Sequence, residues 1–140
     1  MNDAAQPLLF MLLRTAHGLQ ERLEAAFAEV GLTGARFRAL DDLASAVEPV
    51  SLGEMAARQS CVRSNMTQLI DRLESEGLVH RVADPADRRS VRAEITPLGR
   101  ERHAAGRAVL ARQIHSFNQA LLKDDAAELT RVLGALQKDS

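Results

Sequence analysis

The chain has 140 residues, 46% of them apolar, with a net charge of −1, one cysteine and no tryptophan or tyrosine. That length and apolar content fit one domain with its own core and exclude disorder throughout. One cysteine excludes an intrachain disulfide and a cysteine-based zinc site, four phenylalanines as the only aromatics offer little for stacking single-stranded bases, and no apolar run is long enough to span a membrane. The chain therefore reads as cytoplasmic, with no membrane partner, no metal and no cofactor.

Charge is uneven along the sequence. Residues 1–50 hold 4 basic and 7 acidic side chains, whereas from Arg58 to Arg92 seven arginines stand against five acids. Sixteen of the 18 basic residues are Arg, whose forked guanidinium suits phosphate and guanine.

In chain order, Leu8, Leu12, Ala16, Leu19, Leu23, Ala26 and Val30 recur every three to four positions, which predicts a helix over residues 7–30 ended by Gly31. Thr33 is the expected N-cap of a second helix reaching about Ala46. Pro49 breaks the chain, and Ser51-Leu-Gly-Glu54 is a capping box opening a short third helix to about Gln59. A fourth helix over about 62–76 places Met66, Leu69, Ile70 and Leu73 on one buried face and ends at Gly77. Leu78 to Val82 and Val91 to Ile95 read as strands, joined by the turn residues Asp84-Pro-Ala-Asp87. Thr96-Pro97 starts a long helix to about Leu122. Lys123-Asp-Asp125 breaks it, and a last helix covers about 126–136.

A short helix, a tight turn and an amphipathic helix make a helix-turn-helix, and the hairpin after it is a wing. The expected fold is mainly α with a small β-hairpin wing. Asn65-Met-Thr-Gln-Leu-Ile-Asp-Arg-Leu-Glu-Ser-Glu-Gly-Leu-Val79, then Asp84-Pro-Ala-Asp-Arg-Arg-Ser90 and Ile95-Thr-Pro-Leu-Gly99, resemble the MarR family of bacterial transcription regulators. The resemblance is close over about residues 35–100. It implies a single domain over 1–140, with a winged helix-turn-helix at 33–96 flanked by dimerisation helices at 1–32 and 97–140. It also implies a homodimer that binds a palindromic double-stranded DNA operator and, in many members, is released by a small molecule or an oxidant. The family's usual Leu-Gly-Val-Ser corner is Gln59-Ser-Cys-Val62 here. Val62 has no side-chain oxygen to cap the reading helix, which leaves those amides to Ser60 or water.

A helix fits the major groove and reads bases from its N-terminal turns. Ser64, Asn65 and Gln68 carry the donors and acceptors for base edges, while Arg63, Thr67 and Arg72 flank them and suit phosphates. Arg88 and Arg89 at the hairpin tip suit the minor groove. The resemblance makes Arg89 the inserted residue and Asp87 the group that orients it.

The terminal helices carry more apolar surface than one small winged domain covers, which points to a second copy of the chain. Arg14, His17, Arg38 and His103 are candidates for an effector pocket between the dimerising and DNA-binding parts. Cys61, beside Arg58 and Arg63, is a candidate redox switch, although free cysteine is more often a small buried hydrophobe. Nucleophile-elbow, Walker, dinucleotide-binding and zinc-protease motifs are absent, so no enzymatic activity is expected. The leading expectation is a dimeric sequence-specific regulator acting as a repressor released by a small-molecule effector. The alternatives are a winged-helix protein–protein module and a redox-sensing regulator acting through Cys61.

Overall fold

The computed structural model describes residues 5–138; the outermost positions of the 1–32 and 97–140 segments lie outside them. Helix α1 spans Ala5–Ala28. Gly31, at φ 71°, turns the chain so that the Leu32 amide donates to the Phe27 carbonyl at 2.9 Å, a glycine-terminated helix end. Helix α2, Gly34–Ser45, starts at Thr33, whose hydroxyl accepts the Arg36 amide at 3.2 Å. A short strand β1, Val50–Ser51, leads into α3, Leu52–Arg58, where the Ser51 hydroxyl accepts the Glu54 amide at 3.2 Å. Helix α4 is Arg63–Ser75, followed by β2, Val79–Ala83, and β3, Val91–Ile95. Helix α5, Pro97–Gln119, and helix α6, Asp125–Lys138, complete the order.

The three strands form one antiparallel sheet in the order β1-β3-β2, with Val50 opposite Ala93 and Val79 opposite Ile95. The core sits where α2, α4 and α5 meet this sheet. Met66, Ile70 and Leu73 are fully buried on the inner face of α4, with Leu69 half-buried beside them. Phe27 stacks on Phe37 at 4.9 Å between centroids and so joins α1 to α2.

The mainly helical winged fold matches the expectation from sequence, and the differences are local. Helix α5 stops at Gln119 rather than Leu122 because the Leu122 amide turns back to the Asp125 carboxylate at 2.7 Å. Strand β1 was not foreseen: two residues, the second of them the capping Ser51, carry no alternation to read. Among the described residues, α6 buries none of its side chains, and Leu8, Leu9, Phe10, Met11 and Leu13 of α1 are each more than half exposed.

Thr96 joins the end of α4 to the start of α5. The Thr96 hydroxyl donates to the Gly77 carbonyl at 2.6 Å and accepts the Gly99 amide at 3.0 Å. It thereby caps α5 and holds the end of α4 at once. Gly99 is buried, and a methyl group there would meet Ile95 Cγ1 at 2.7 Å and run into the Leu78 carbonyl. Thr-Pro-Leu-Gly is thus a packing requirement as well as a helix start.

Candidate nucleic-acid interface

The exposed side of α4 begins with Arg63, Ser64 and Asn65 and continues through Gln68 to Arg72. The side chains of these five residues make no hydrogen bond or ion pair among the described residues. Thr67 differs: it is half-buried and its hydroxyl donates to the Arg63 carbonyl at 3.0 Å, so its donor is spent on the helix. Val62 stands at the N-cap with φ −74° and ψ 150° and supplies no cap. Ser60 does not replace it. Its backbone lies at φ 50°, the only non-glycine residue with positive φ among those described, in the left-handed region that glycine adopts without strain.

Between Arg58 and Arg92 the seven arginines separate into two groups. Arg81 is paired with Asp71 and with Glu74, the latter at 2.8 Å, Arg92 with Asp84 at 3.1 Å, and Arg58 loosely with Glu54 at 3.9 Å. Arg63, Arg72, Arg88 and Arg89 have no ion pair among the described residues. Within this segment, the arginines without an ion pair are therefore the four singled out on α4 and the wing. Arg81 also neutralises Asp71, an acid on the exposed side of α4. The backbone amide of Arg81 and then its guanidinium hold the Glu74 carboxyl below its ordinary value.

The wing is built around Asp84. Its carboxylate accepts the Ala86 amide at 2.9 Å and Arg92 Nε at 3.1 Å, and Arg92 Nη1 donates to the Pro49 carbonyl at 3.1 Å. The Ala86 amide first, and Arg92 second, hold the Asp84 carboxyl below its ordinary value. Asp87 accepts the Arg89 backbone amide at 2.9 Å. It therefore fixes the main chain of Arg89, while the guanidiniums of Arg88 and Arg89 stay exposed at the tip. Asp84 was expected in the turn, but its pairing with Arg92 was not anticipated. Their signal was an acid opening the turn and an arginine eight positions later, on the returning strand.

The four candidate effector residues are not brought together. Arg14 and His17 lie exposed on α1, with His17 paired to Glu21 at 3.1 Å. His103 stacks on Phe37 at 5.6 Å and is bonded to Asp41 at 2.7 Å, tying α5 to α2. Arg38 borders two clefts. One, of about 590 Å³, lies between α1, α2 and α5 over Leu23, Phe27, Phe37 and Leu110. The other, of about 440 Å³, lies between α2 and α4 beside Asn65, Gln68 and Arg72. Cys61 is half-buried in that second cleft and packs against the core.

No helix among the described residues is long and apolar enough to cross a membrane, and no group of His, Cys, Asp or Glu among them is placed to hold a metal ion. The sequence model of the MarR family matches residues 32–91. The HTH-type transcriptional regulator YsmB of Bacillus subtilis is 44% identical over 50 residues, covering 36% of this chain and 34% of that protein. The match thus spans about a third of this curated relative's length. A MarR-like protein from Bacillus cereus ATCC 10987 shares the fold at a TM-score of 0.84, with 23% identity and 97% of each chain covered. The transcriptional repressor CouR, bound to a 23-mer DNA duplex, gives a TM-score of 0.82 at 28% identity, with 98% of this chain and 96% of CouR covered. Residues 32–91 thus match the MarR family in sequence, and the described fold is shared with MarR-like structures.

Proposed function

We propose that the chain is a homodimeric regulator of transcription that binds double-stranded DNA sequence-specifically and represses until a small-molecule effector releases it. The observation that carries the reading is the division of the arginines: pairing consumes those that shape the wing and leaves Arg63, Arg72, Arg88 and Arg89 exposed. Asn65 and Gln68 suit adenine edges in the major groove, and Ser64 takes either polarity. The wing tip suits a narrow minor groove. The bound duplex of CouR supports the same use of the fold.

Exposed apolar side chains on α1 and the unburied α6 support dimerisation through the terminal helices. A twofold dimer would set two α4 helices about 34 Å apart, one turn of DNA. The α1–α2–α5 cleft supports the effector part of the proposal. Its size falls within the ordinary range for small ligands, about 300–1,000 Å³, and Arg38 supplies a cation at an apolar wall. Occupancy there would shift α2 against α1 and so change the spacing of the two reading helices, a population shift between dimer shapes.

The test is selection of binding sites from a random duplex pool, followed by measurement of the mass of the complex. An enriched inverted repeat holding two chains per duplex is the expected outcome. An unenriched pool, with the protein retained by other proteins instead, would assign the winged helix to protein partners.

A further inference from the structure

We propose that Arg38 on α2 contacts a DNA phosphate, so that the binding surface continues from α4 onto α2. The inference rests on the DNA-binding reading above and adds a residue outside the helix-turn-helix and the wing. The cleft between α2 and α4 holds Asn65, Gln68 and Arg72 from the reading face together with Arg36 and Arg38 from α2, and no acidic side chain lines it. Other clefts are different: the one beside α3 includes Asp42, Glu48 and Glu54, and the one between α1, α2 and α5 includes Glu24.

The two α2 arginines are not equivalent. Arg36 is 15% exposed and tied to Glu76 at 3.1 Å, which fixes α2 against the end of α4. Arg38 is exposed and has no ion pair among the described residues. Glu24, which like Arg38 lies beside Gly34, is bonded to the Gly34 amide. A concave wall with Arg38 on one side, Arg72 on the other and base-reading amides between them suits the edge of a duplex. The sugar–phosphate backbone runs beside the groove that the reading helix enters.

The test is fluorescence anisotropy of wild type, Arg38→Ala, Arg38→Lys and Arg89→Ala across a salt series, on a selected duplex and a random-sequence duplex. Each phosphate contact contributes about 0.9 to the slope of log affinity against log salt. Arg38→Ala in a dimer is expected to lower the slope by about 1.8 and to weaken both duplexes by a similar factor, about tenfold at low salt. Arg38→Lys restores most of the slope, which a merely structural role would not require. If Arg89→Ala lowers the slope while Arg38→Ala leaves it unchanged, the Arg38 inference fails and the DNA-binding reading stands. If wild type shows no salt-dependent binding to either duplex, both fail. Calorimetry with inorganic phosphate alone separates the remaining source: phosphate binding lost in Arg38→Ala, with an unchanged DNA slope, would make the cleft a free-anion site and overturn the inference.

Discussion

Both carboxylate oxygens of Glu24 accept the backbone amide of Gly34, at 3.0 and 3.1 Å. The bond spans the junction between the long first helix and the winged part. It satisfies the first amide of α2, which no side chain at Thr33 reaches, since that hydroxyl serves Arg36. Gly34 is buried, so a lost partner leaves its amide poorly hydrated. Glu24→Ala is expected to lower stability by about 1.5–3 kcal/mol, the range for a hydrogen bond to a charged group. Urea denaturation checks this, and an unmoved midpoint would mean that the junction does not depend on the bond.

The corner before α4 holds two local conflicts. Ser60 adopts φ 50°, and replacing it by glycine removes a backbone cost of about 1 kcal/mol. Val62 leaves α4 uncapped, and Val62→Ser is expected to add about 1 kcal/mol by bonding one of the first amides. Each substitution should raise the melting temperature when made alone. A fall in either would show that the corner is held by contacts stronger than local backbone preference.

Gly99→Ala tests the packing of α5 on the strand that follows α4. The added methyl meets Ile95 and the Leu78 carbonyl, and a backbone atom cannot rotate away. A loss of about 3 kcal/mol is expected, visible as a lower denaturation midpoint. Wild-type stability in this variant would require α5 to shift without cost.

Asp84 gives the wing a dependence on acid. Its folded-state value lies below the ordinary 3.8, so the stabilisation is fully present above 3.8 and is lost as pH falls through the lowered value. The Ala86 amide resonance, followed by NMR at falling pH, should titrate with a midpoint below 3.8. A midpoint at or above it would mean that the carboxylate does not hold the turn. Asp84→Asn should weaken DNA binding through a looser wing while the rest of the fold stays intact.

Much of this architecture was legible from residue type. Capping chemistry at Thr33, Ser51 and Thr96 and glycines at 31 and 77 marked the element ends because each meets a local backbone need that sequence states directly. The exposed residues of α4 were legible for the same reason: the apolar spacing of Met66, Ile70 and Leu73 determines what lies opposite. Relationships between distant segments were not. Glu24 with Gly34, Arg92 with the Pro49 carbonyl, and Arg81 with Asp71 depend on tertiary placement. The grouping of Arg14, His17, Arg38 and His103 dispersed for that reason, since helical position alone does not say which face a neighbouring helix covers.

The most direct measurement is the affinity of Arg89→Ala and Gln68→Ala, relative to wild type, for a selected duplex and for the same duplex with one base pair changed in the half-site. Gln68→Ala is expected to lose about 1–3 kcal/mol on the selected duplex and to tolerate the changed pair. Arg89→Ala is expected to weaken binding and reduce its salt dependence. If both variants bind both duplexes as wild type does, α4 and the wing are not the DNA-reading surface.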